Sequence, residues 1–210
     1  MYIATPKPDF LNRENAEQEL ERLLAQPSVS AARPCPGCRL PVNCGTVAAN
    51  DPPCHAGCEN APQALSSEPE LHPIEKDVVA IVFELTALRL IQPCWSCEGH
   101  LDGRGELWKL PQVSFYAASP LYPKLICNYL TRLRHQKQLH YVWQVNLVDY
   151  GQTWSPAYQI EPCLNQISKP VELTLLQEDL RSIGNNLAEQ IKQEARHMLA
   201  NMRRDTSTSL

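Results

Sequence analysis

The sequence predicts an α+β protein, a small mostly antiparallel sheet covered by helices, with an N-terminal cysteine-rich metal-binding module. Apolar residues recur at helical spacing near 9–25, 73–92, 119–133 and 170–202. Shorter stretches around 113–117, 140–147 and 158–160 have the branched, aromatic and alternating character of strands. From 27 to about 73 the texture changes: Pro, Gly, Ser, Ala and Asn dominate, and five cysteines appear where large aliphatic residues nearly vanish. The implied division is residues 1–72, a helix followed by a zinc-knuckle-like module, and residues 73–210, an α+β domain ending in a long amphipathic helix.

Asp9 is placed to cap the first helix, Phe10, Leu20, Leu23 and Leu24 supply its apolar side, and Pro27 stops it. Pro73 suits a first helical position, and Glu75 and Asp77 favour a first turn. Ile74, Val78, Ile81, Val82, Leu85 and Leu88 then follow helical spacing until Pro93, and Val79 with Phe83 widens the stripe enough to make this helix central. Val113 to Ala117 reads as a strand. Ser119 and Pro120 open a helix with Tyr122, Leu125, Ile126, Tyr129, Leu130 and Leu133 on one face.

Tyr141, Trp143, Val145 and Leu147 alternate with polar residues as in a half-buried strand. YGQTWSP turns the chain, and Tyr158 and Ile160 start a partner strand that Pro162 keeps at an edge or ends. Pro170 opens one long helix whose Leu173, Leu176, Leu180, Ile183, Leu187, Ile191, Met198 and Met202 step by threes and fours. That stripe requires a surface, either this sheet, the favoured reading, or a second copy of the chain in a homodimer. The expected order is helix, strand, strand, helix, strand, strand, helix.

Composition narrows the function classes. A formal net charge of -4 removes the broad basic field that announces nonspecific nucleic-acid or membrane-surface binding. Arg132, Arg134, His135, Lys137 and His140 cluster at a predicted helix end, where positive charge complements the helix dipole, so no nucleic-acid partner is expected. The opening MYIATPKPDF is not an export signal, and the apolar segment near 78–91 is broken by Glu84 and Arg89. Nine cysteines without such a signal point to reduced thiols in a cytoplasmic protein.

Two cysteine groups carry the chemistry. Cys35 and Cys38 form CPGC, Cys54 and Cys58 form CHAGC, and Cys44 and His55 lie between or beside them. Paired thiolates on tight turns can close a tetrahedral zinc site, and such a site folds a segment that has no core of its own. The extra thiolate of Cys44 keeps an iron–sulfur cluster as the alternative. Downstream, PCWSCEGHLDGRGELWKLP places Cys94, Cys97, Glu98, His100, Asp102, Arg104 and Glu106 in one glycine-containing loop.

Cys94, Cys97 and His100 have C-x2-C-x2-H spacing, enough for a three-ligand metal site with Glu98 or Asp102 as general base. Alternatively, Cys97 is a thiolate nucleophile activated by His100. A third reading makes the cysteines and Trp95 and Trp108 packing residues and the acids a solvated loop. Cys127 and Cys163 read as packing residues, and His72 as a helix cap. No phosphate-binding glycine loop, dinucleotide fingerprint, GxSxG elbow or HExxH helix occurs. The Ser96–His100 stretch, SCEGH, resembles the SSCSGR segment of wybutosine-tRNA methyltransferases over those few residues, with His100 where that family has arginine, and the resemblance implies no activity here.

The leading expectation is therefore a cytoplasmic zinc-binding protein with Cys97, Glu98 and His100 lining a catalytic or small-molecule pocket. The rival is a non-enzymatic interaction module in which a zinc knuckle and the terminal helix hold partners. The two differ in whether Cys97, Glu98 and His100 converge on an open cleft and whether the last helix exposes its apolar stripe.

Overall fold

A computed structural model describes residues 10–26, 74–148, 157–163 and 171–207. The elements are α1 (Phe10–Leu24), α2 (Val79–Ala87), β1 (Ile91–Cys97), β2 (His100–Leu101), β3 (Leu107–Lys109), β4 (Gln112–Ala117), α3 (Leu121–His135), β5 (Trp143–Val148), β6 (Ala157–Pro162), α4 (Leu173–Gly184) and α5 (Leu187–Ser207). Cys35, Cys38, Cys44, Cys54 and Cys58 lie outside the described residues, as do Asp9 and His72. The predicted α+β architecture is present: an antiparallel sheet in the order β1-β4-β6-β5, a β2-β3 hairpin beside it, and helices packed on one another and on the sheet.

Alternation decides which strand residues enter the core. Val113, Phe115 and Ile160 are fully buried, whereas Gln112, Ser114 and Gln159 lie on the other face, joined by hydrogen bonds from Gln159 Nε2 to Gln112 Oε1 at 2.7 Å and from Ser114 Oγ to Gln159 Oε1 at 3.1 Å. On the apolar side α2 packs against β1 and α3 against β5. Helix α2 buries Val79, Ile81, Val82, Phe83 and Leu85, being apolar almost all round because β1, α4 and α5 surround it.

The first strand sits where helical spacing was expected to continue. Helix α2 ends at Ala87, Arg89 takes the left-handed conformation (φ 58°) that closes many helix C-termini, and the chain extends from Ile91. Pro93 is tolerated because β1 is an edge strand and its register with β4 shifts between Pro93 and Trp95. The other proline reading resolves differently: β6 lies inside the sheet and Pro162 is its last residue, so this proline ends the strand.

The predicted single C-terminal helix is two. Gly184 packs so closely on α2 that an added Cβ would lie 2.7 Å from Ala80 Cβ and 3.1 Å from the Ile81 nitrogen, and Asn186 turns the chain with φ 54°. Only glycine and, less readily, asparagine take such geometry cheaply. The break directs α5 onto α1, α2 and α3 rather than onto the strands. Leu187, Ile191, Ala195 and Leu199 are thereby buried within the chain, against a core that includes Leu20 and Leu23 of α1. Among the described residues, no helix is long and apolar enough to cross a membrane.

Glu84, buried inside α2, supplies the start of α5 with a cap: its Oε2 accepts the Ala188 N–H at 2.8 Å. Burial raises its carboxyl pKa above the usual 4.5, against the lowering effect of that bond. A carboxyl with a raised folded value binds protons more tightly folded than unfolded. Its contribution is complete below the unfolded pKa and is lost as pH rises through the folded one. Urea unfolding across mildly acidic to neutral pH is therefore expected to show this decline, and Glu84→Gln, which keeps the accepting oxygen, to flatten it. An unchanged slope in the variant would remove Glu84 as its source.

Candidate functional site

One end of the sheet gathers the last residue of β1, the first of β4, the last of β6 and the first of β5, since Cys97 pairs with Gln112 and Trp143 with Pro162. Helix α4 is tied to both edges there. Its Asp179 accepts from the backbone N–H groups of His140 (2.7 Å) and Tyr141 (3.0 Å) and from Trp143 Nε1 (2.8 Å) beside β5. On the β1 side, Arg181 pairs with Asp77 at 2.6 Å, and Gln177 Nε2 donates to the Glu98 carbonyl at 3.5 Å.

The segment leading into α2 and the loop after β1 are strapped together by an exchange of carboxylates. Glu98 N–H donates to Glu75 Oε2 at 2.6 Å, and Asp77 N–H donates to Glu98 Oε2 at 2.9 Å. Glu98 is thereby spent on holding Asp77. Burial, and then the neighbouring Glu75 and Asp77 charges, push its carboxyl up against that bond. Gly99, with φ 86°, makes the turn that returns the chain to β2.

That turn places three donor groups together. Glu75, Cys97 and His100 each offer a ligand atom, and these atoms all lie within 4.8 Å of one another. His100 Nε2 is 2.8 Å from Glu75 Oε1, and the Gly99 N–H points at Cys97 Sγ from 3.4 Å. The thiol is 2% exposed while the Glu75 and His100 side chains are 30% and 41% exposed, so the cluster is closed at the sulfur and open at the other two. Among the described residues it is the single such grouping.

Of the residues marked in the sequence, Cys97 and His100 are brought together, whereas Glu98 directs its carboxylate to the Asp77 backbone and Cys94, in mid-strand, is outside the cluster. Asp102 folds its own hairpin, its Oδ1 accepting from Arg104 N at 2.8 Å and Glu106 N at 2.9 Å. Cys163 is buried and Cys127 half-buried, and burial pushes the Cys127 thiol up.

Glu75 is the participant that sequence reasoning passed over. As an acid before a helix it has an ordinary electrostatic explanation, and only the return of the chain through β1 shows a second one.

The electrostatics bear on both chemical readings, since metal ligation and nucleophilic attack each need the thiolate. Burial pushes the Cys97 thiol up and the Glu75 carboxylate pushes it further, opposed by the Gly99 N–H and Lys109. A nucleophilic cysteine needs the opposite shift. A divalent cation at the same point would neutralise Glu75 and stabilise the thiolate, and Cys, His and carboxylate are all donors that zinc accepts. Tetrahedral ligand atoms about 2.0–2.3 Å from zinc stand roughly 3.3–3.7 Å apart, so the His100–Glu75 pair needs to open by only about half an ångström. Compared with known proteins, the chain matches no family model, no curated protein and no solved structure.

Proposed function

We propose that the protein binds a divalent transition-metal ion, zinc by donor preference, through Glu75, Cys97 and His100. The observation that carries this reading is the convergence of three chemically different donors from two chain segments on one point, with the sulfur buried and the other two facing solvent. Three protein ligands leave a fourth position for water or a small molecule on the exposed side, the arrangement of a catalytic rather than a closed structural zinc site. The ion would hold the thiolate, and Glu98 and Gly99 would position Glu75 and the loop rather than take part in chemistry. The upstream cysteines Cys35, Cys38, Cys44, Cys54 and Cys58, outside the described residues, are further candidate ligands for zinc or an iron–sulfur cluster.

Metal content per chain, measured on anaerobically purified protein, tests this. The expected result is one zinc equivalent lost in Cys97→Ser and in His100→Ala relative to the unaltered protein, and lost likewise when either substitution is made on a Cys35→Ser background. Glu75→Gln is expected to weaken zinc binding at least about tenfold, as loss of a ligating or orienting group does. Equal zinc content in the unaltered protein and in folded Cys97→Ser and His100→Ala would sink the proposal.

A further inference from the structure

At the opposite end of β1 from Cys97 lies a cavity of about 510 Å³, bounded by Arg22 of α1, Arg89 and Leu90 of the α2–β1 turn, Gln92 of β1, and Tyr116 and Ala117 of β4. Its size is within the range that small-molecule ligands occupy. Three separate parts of the fold meet there, and backbone pairing fixes two of them to each other: Gln92 is the cross-strand partner of Tyr116, and the Ala118 N–H donates to the Leu90 carbonyl at 3.0 Å, while Arg22 reaches in from α1. Gln92 and Tyr116 therefore enter the cavity from one rigid surface.

The charge in this cavity is unbalanced. Among the described residues, the Arg89 guanidinium has no hydrogen-bond or ion-pair partner, and its side chain is exposed. Arg22 is held by Glu19 at 3.5 Å with 56% of its side chain exposed, a weak pair that occupies little of a guanidinium with five N–H donors. Glu19 is in turn engaged by Tyr122 Oη at 2.5 Å. The left-handed backbone at Arg89 does not distinguish this turn, because Lys137 at the end of α3 shares it. Two arginines, an amide, a phenol and an apolar wall share one concavity.

We infer that this cavity is a binding site for a small organic phosphate, a phosphate monoester whose body rests against Leu90, Ala117 and the Tyr116 ring. Arginine forks match phosphate oxygens in pairs. Two arginines suit a group carrying close to two negative charges, where a carboxylate carries one. Gln92 and Tyr116 can donate to the remaining oxygens or to the body of the ligand. This inference is independent of the metal reading, which concerns the other end of the strand.

Phenyl phosphate is a suitable probe, titrated into the full-length protein by calorimetry and by NMR, with inorganic phosphate and benzoate as comparators. Saturable binding is expected, at least about tenfold tighter for phenyl phosphate than for either comparator. Arg89→Gln and Arg22→Gln should each weaken it about tenfold or more without lowering the melting temperature, since both side chains are exposed. Absence of saturable binding would overturn the inference, as would an affinity unchanged in Arg89→Gln. Equal binding of benzoate would overturn the assignment to phosphate.

Discussion

Asp179→Ala is expected to lower the unfolding free energy by about 3–5 kcal/mol, a large fraction of the roughly 5–15 kcal/mol that holds a domain together. The side chain is fully buried and accepts three hydrogen bonds, from the His140 and Tyr141 backbone and from the Trp143 indole. Alanine removes the acceptor from all three donors; the Trp143 indole is buried, the His140 and Tyr141 N–H groups are part-buried, and a buried donor without a partner costs about 1–3 kcal/mol. Burial pushes the Asp179 carboxyl up despite those three bonds, so the charge itself is held at a cost. That does not reverse the sign, because the variant removes the acceptor and leaves the donors in place. Asp179→Asn keeps one carbonyl oxygen and is expected to lose less. Urea denaturation of the two variants and the unaltered chain checks the order, and an alanine variant within about 1 kcal/mol of the original would show that water reaches these donors freely.

Gly99→Ala is expected to cost about 2–4 kcal/mol and to weaken metal binding with it. The residue has φ 86°, and a Cβ there would stand 2.7 Å from Leu173 Cδ1, 3.0 Å from Pro111 Cδ and 3.1 Å from the Lys109 carbonyl oxygen. Leu173 can move, but a proline ring and a backbone oxygen yield little. Relief would require the loop to lift away from α4 and β3, and the same loop carries the Glu98 N–H that orients Glu75 and the Gly99 N–H that faces Cys97 Sγ. Gly103→Ala is the matched control, since nothing lies within 4 Å of an added Cβ there and its φ is not in the left-handed range. The comparison is read in denaturation midpoints and zinc affinities. Similar behaviour of the two variants would show that the turn at Gly99 is not constrained as described.

The apolar periodicities located most of the secondary structure because burial acts on side chains at fixed local spacing. Tyr122, Leu125, Ile126, Tyr129, Leu130 and Leu133 mark one face of α3, and all are buried in the fold. The same rule ran past two boundaries. Leu88 belongs in spacing to α2 yet follows its last turn, and the helical stripe continues from Ile183 to Leu187 across the break at Gly184–Asn186. A break that inserts residues without upsetting the four-residue step leaves the pattern intact. The glycine followed by two asparagines was the local sign of it.

By itself the sequence determined the class of this protein, the faces its helices and strands bury, and the concentration of reactive groups around Cys97. These depend on residue type and on neighbours within a turn or two. Tertiary structure alone decided that Glu75, not Glu98, stands beside Cys97 and His100, and that Arg22 and Arg89 share a cavity. It also put Asp179 beneath the start of β5. Each of these depends on where an edge strand returns or where a helix crosses the end of the sheet, a distance in space to which spacing along the chain carries no metric.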